Sequence, residues 1–179
     1  SVIADQVSLT NFSQMTTSTT GPGSGGTIHV SAEDTTSLTD SFISASSNST
    51  GSDAGSGGQI TLRAPTLNVV GGVISTLTLG SGNAGNIQIQ AGTFGLTTSE
   101  GAPGLVEATT SGSGHGGNIS IVGLTGPGSQ SDDVTLSGFS SIRSETLSSQ
   151  GGTAGDITID TMRFALTEGS AITTASRLN

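Results

Sequence analysis

The chain has 179 residues, of which 31% are hydrophobic and 9% charged, and nearly half are Ser, Thr or Gly; typical globular domains carry roughly 45–50% and about 25%. The absence of Cys excludes disulfides, thiolate metal sites and cysteine nucleophiles. Thirteen acids against four Arg give a net charge of −9, which repels nucleic acid, anionic lipid and acidic polysaccharide.

Read in chain order, the apolar residues fall into short alternating units. Val2 and Ala4 open the chain, followed by Val7 and Leu9 and then by Met15. Next comes the phrase Gly25-Gly26-Thr27-Ile28-His29-Val30, which returns as Gly57-Gly58-Gln59-Ile60-Thr61-Leu62, Ala84-Gly85-Asn86-Ile87-Gln88-Ile89, Gly116-Gly117-Asn118-Ile119-Ser120-Ile121 and Ala154-Gly155-Asp156-Ile157-Thr158-Ile159. The first Ile residues of these phrases lie 32, 27, 32 and 38 residues apart. A second unit follows each phrase, at Thr36/Leu38, Leu67/Val69, Phe94/Leu96, Val134/Leu136 and Phe164/Leu166. A third centres on Ile43, Ile74, Val106, Ile142 and Ile172. Disordered low-complexity sequence has no reason to hold such a register, and fixed self-similarity of this kind is the signature of a repeat architecture.

Period-two alternation predicts strands with one buried face. Three short strands per repeat, separated by Gly/Ser/Thr/Asn-rich turns, predict an all-β parallel β-helix. Its rungs cover about residues 1–24, 25–56, 57–84, 85–115, 116–154 and 155–179, as a single β-helix segment of a longer repeat protein with no cap. Six rungs at about 4.8 Å span about 29 Å. One predicted inner column holds Ile28, Ile60, Ile87, Ile119 and Ile157; its neighbour holds Val30, Leu62, Ile89, Ile121 and Ile159, followed by Ala32, Ala64, Ala91 and Gly123 at a corner. Glycines before the first strand are expected to supply positive φ there. Insertions relative to the shortest rung are expected at Ser46–Ser56, Ser99–Gly104 and Leu124–Asp133.

Candidate chemistry is sparse. Asp132 and Asp133, in the longest insertion, are the candidate surface recognition residues, and they would also be the acidic pair of a carbohydrate-active β-helix enzyme. With no Trp or Tyr and only scattered Arg, the sequence offers them no stacking or basic subsite, and the expectation is no enzyme. Asp156 opens one phrase, but the equivalent residues are Asn118, Asn86, Gln59 and Thr27, which predicts a stack of polar turn residues sharing hydrogen bonds rather than a calcium ladder. His29 and His115 fall on different rungs, so no metal or other cofactor is expected. The outward column Ser44, Ser75, Glu107, Arg143, Thr173 is too mixed for the flat Thr array of an ice-binding face, and Glu107 and Arg143 are expected to pair.

The phrases Gly80-Ser81-Gly82-Asn83-Ala84-Gly85-Asn86-Ile87-Gln88-Ile89-Gln90-Ala91, Phe94-Gly95-Leu96 and Ser170-Ala171-Ile172-Thr173-Thr174-Ala175 closely resemble the repeats of filamentous-haemagglutinin-like exoproteins of Gram-negative bacteria. The resemblance covers essentially the whole chain as a repeat pattern. It implies a long right-handed β-helix, exported by two-partner secretion through an outer-membrane β-barrel transporter and acting outside the outer membrane as a secreted or cell-surface adhesin or fibre. No stretch corresponds to that family's amino-terminal secretion domain, so the resemblance assigns export signals to no residue. Implied partners are an unknown surface receptor or matrix and, through unpaired strand edges at open ends, neighbouring copies or repeats stacked end to end.

Overall fold

The computed structural model describes residues 1–148 and 151–177. The described elements are all strands: β1 (Val2–Leu9), β2 (Gln14–Thr19), β3 (Thr27–Thr39), β4 (Phe42–Ser47), β5 (Gln59–Val70), β6 (Val73–Thr78), β7 (Ile87–Thr97), β8 (Leu105–Thr110), β9 (Ile119–Val122), β10 (Asp133–Leu136), β11 (Ser141–Thr146), β12 (Ile157–Ile159), β13 (Phe164–Leu166) and β14 (Ala171–Ser176). They pair in parallel as a β-helix of about six turns. One sheet runs β2-β4-β6-β8-β11-β14. The other runs β1-β3-β5-β7 and then continues along two tracks, β9-β12 and β10-β13.

The first two predicted strands of a rung therefore run together in the first four turns and separate only in the last two. Continuous pairing with the rungs on either side carries the extended backbone through the bend. The bend itself falls where the sequence places an exposed acid, a proline or a glycine: Asp5, Glu33-Asp34, Pro65 and Gly92. Pro65 has no N–H to lose at a bend. The second rung has two bend residues against one in its neighbours, so the register skips between Ser31 and Thr35, as in a β-bulge.

The core follows the predicted columns. Ile28, Ile60, Ile87, Ile119 and Ile157 are mutual register partners, as are Val30, Leu62, Ile89, Ile121 and Ile159. All are buried except Ile157 and Ile159, which are half-buried in the last rung. Opposite them stack Met15, Ile43, Ile74, Val106, Ile142 and Ile172. Identical or similar branched side chains at strand spacing fill a thin prism, and half of each strand suffices, which explains the low apolar fraction. The alanine column holds for Ala32, Ala64 and Ala91, but Gly123 does not join it. The chain leaves the rung at Gly123 and returns at Ser131, which is fully buried two residues before Asp133 pairs with Thr93. Asp132 and Asp133 thus belong to the rung, outside the excursion.

The glycines at the corner entering each first strand serve a different purpose from the expected one. Gly26 alone among them has positive φ, at 79°. At Gly58, Gly85 and Gly117 a Cβ would overlap the carbonyl oxygen of Gly26, Gly58 and Gly85, respectively, in the rung beneath. Close approach of stacked backbones, not backbone conformation, excludes a side chain. Interior hydroxyls then satisfy the carbonyls of this corner: Thr17, Thr76 and Ser144 donate to the carbonyls of Gly25, Gly85 and Gly117 at 2.7, 2.7 and 2.8 Å. In this column the hydroxyls alternate with Ala45 and Ala108.

The other two insertions are local. Ser46 and Ser47 end β4 inside the rung, so the first extra turn begins after them. Ser99 and Ala102 exchange backbone hydrogen bonds of 2.9 and 2.7 Å around Glu100 and Gly101, both at positive φ, which makes a tight two-residue hairpin. At the last rung the prism interior is open. Phe164 and Leu166 are 47% and 44% exposed, and Phe164 shares an apolar hollow of about 440 Å³ with Ile157, Ile159 and Ile172.

Candidate functional site

A concave surface lies over the glycine corner. It is a polar groove of about 580 Å³ that runs along the axis from Gln59 to Asp156. Its floor is the backbone of Gly57-Gly58, Ala84-Gly85, Gly116-Gly117 and Ala154-Gly155, kept bare by the close approach just described.

Two ladders of side chains form its walls. On one, Asn86 Oδ1 accepts the backbone N–H of Asn118 at 2.8 Å, and Asn118 Oδ1 accepts that of Asp156 at 2.8 Å. On the other, Asn83 Oδ1 accepts the His115 N–H at 2.9 Å, and His115 Nδ1 accepts the Thr153 N–H at 3.0 Å. Each bond joins one rung to the next. The bonds also fix orientation: every Asn oxygen must face the N–H, which leaves the NH₂ group outward. Because His115 Nδ1 is an acceptor, the neutral ring carries its proton on Nε2. The Thr153 hydroxyl, 2.9 Å from Nδ1, completes the contact.

The predicted polar stack is therefore real for Asn86, Asn118 and Asp156. It does not extend to Gln59, whose N–H donates to the Gly26 carbonyl at 2.9 Å, or to Thr27. The parallel Asn83–His115–Thr153 ladder escaped the sequence reading, although its signal was available: each member lies three residues before the matching Asn or Asp.

The structure places Asp132 and Asp133 away from this groove. Asp132 sits at the bend, where its N–H donates to the Gly92 carbonyl at 2.7 Å. Asp133 starts β10, 3.5 Å from the exposed Arg163 guanidinium, and accepts the Thr135 hydroxyl at 3.3 Å. A carboxylate turned toward a cation and a neighbouring hydroxyl is engaged on its own surface. Glu107 and Arg143 do pair: Arg143 places Nη2 at 2.7 Å and Nε at 3.1 Å from one Glu107 oxygen, while Ser75 donates to the other at 2.9 Å. Among the described residues, no three His, Asp or Glu side chains converge to hold a metal ion. No protein-family model, curated protein or solved structure matches the chain.

Proposed function

We propose that the chain is a structural segment of a large secreted or cell-surface adhesin or extracellular fibre of a Gram-negative bacterium, a rigid β-helical stalk carrying variable surface loops. The observation that carries this reading is the continuity of the aliphatic ladders from rung to rung. Unpaired strand edges of such a stack favour end-to-end association with a neighbouring copy. A one-dimensional stack in which each rung templates the next also suits a chain that crosses an outer-membrane β-barrel unfolded and folds outside. The likeness of the repeats to filamentous-haemagglutinin-like proteins supports the same export route and location.

Antibody raised against the segment and applied to intact and fractionated source cells tests the location: label at the surface or in the medium is expected, and label confined to the cytoplasm overturns it. Sedimentation velocity over a wide concentration range tests the stacking. Rods that lengthen with concentration are expected, as is their loss in Phe164→Asp; a concentration-independent monomer overturns end-to-end assembly. The alternative, a carbohydrate-active enzyme using Asp132 and Asp133, predicts turnover of a glycan panel that disappears on D132A/D133A.

A further inference from the structure

The walls of the polar groove have an asymmetry that identifies what would lie between them. Across the middle rungs each Asn and His of the two ladders spends an acceptor on the next rung. Asn83, Asn86 and Asn118 use Oδ1, and His115 uses Nδ1. The ladders therefore turn a set of donors to the groove: three NH₂ groups and the His115 Nε2–H, all on exposed residues and none with a hydrogen-bond partner among the described residues. Donors on each wall recur at the rung spacing of about 4.8 Å.

We propose that this groove binds a neutral linear glycan laid along the axis of the β-helix. The ligand must present acceptors at each step without bringing fixed donors against the NH₂ groups. Glycan hydroxyls meet that condition, because each oxygen offers two lone pairs and its hydrogen rotates away. An extended peptide fits poorly, since its amide N–H groups would face donors and the groove, lined by Gly, Ala, Asn, His and Thr, lacks apolar pockets for its side chains. The net charge of −9, together with Asp156 at one end of the groove, disfavours polyanions. The distance from Gln59 to Asp156, three rung steps or about 14 Å, is the length of a short oligosaccharide. This inference stands on the groove alone and is independent of whether the rods stack.

The Asn side-chain NH₂ groups supply the test. The ¹⁵N-labelled chain is titrated with cellohexaose, laminarihexaose and xylohexaose while the Asn side-chain NH₂ signals are followed. The expected result is saturable movement of the Asn83, Asn86 and Asn118 signals with at least one of these glycans. Two outcomes would overturn the proposal: no saturable movement with any of the three glycans, or movement of the same signals by an acetylated hexapeptide and not by the glycans.

Discussion

Thr36 occupies a position that its column partners fill with Val7 and Leu67. It is fully buried, and its hydroxyl has no hydrogen-bond partner. Leaving a buried hydroxyl unpaired costs about 1–3 kcal/mol, and valine has the same shape without it. Thr36→Val is therefore expected to raise the unfolding free energy by about 1 kcal/mol, measured as an increased denaturant midpoint at unchanged slope. The buried hydroxyls of Thr76 and Ser144 give the opposite case, because each satisfies a glycine carbonyl. The sequence could not separate these two classes. Both read as polar residues in an apolar column, and only the course of the neighbouring corner decides whether a carbonyl lies within reach. The Asn ladder has the same logic. The column was legible from its spacing, but its extent depends on side-chain reach: Asn86 and Asn118 meet the N–H of the next rung, while Gln59 and Thr27 do not.

At the scale of the turn, glycine serves two purposes that the sequence does not distinguish. Gly85 sits against the Gly58 carbonyl, whereas Gly128 has φ of 88° and open space around it. Gly85→Ala must push apart two rungs and is expected to cost about 2–3 kcal/mol, in the range of overpacked cores. Gly128→Ala meets only the left-handed backbone penalty of about 1 kcal/mol. Paired denaturation curves check the difference, and equal costs would refute the close-approach account. The excursion in the fifth rung gives a second test. Ile89 and Phe94 are five residues apart, and their partners Ile121 and Val134 are thirteen apart, so eight residues are extra. Deleting residues 123–130 should join β9 to β10 as one bent strand like β7. Loop closure then favours the shorter chain slightly, against one lost hydrogen bond from Arg63 Nε to the Leu124 carbonyl. Stability within about 1 kcal/mol of the parent and an unchanged circular dichroism spectrum are expected. Fusion of the first two strands in the early rungs was not legible, because a bend residue and a turn residue have the same composition.

Across the whole molecule, stability is set by nearest neighbours along one axis. The middle rungs are paired on both sides and bury Ile60, Leu62, Ile87 and Ile89 almost completely. The last rung pairs on one side only and leaves Phe164 and Leu166 nearly half exposed. Opening from that end sacrifices one interface, while opening in the middle sacrifices two. Amide hydrogen exchange should therefore be graded along the axis, slowest in β5 and β7 and fastest in β13 and β14, with no single cooperative value. The same gradient responds to assembly. If a neighbouring copy covers the open end, protection in β13 and β14 rises with protein concentration while β5 and β7 stay constant, and Phe164→Asp abolishes the rise. Uniform protection along the axis would mean that the six rungs open as one unit, and the nearest-neighbour description would have to be abandoned.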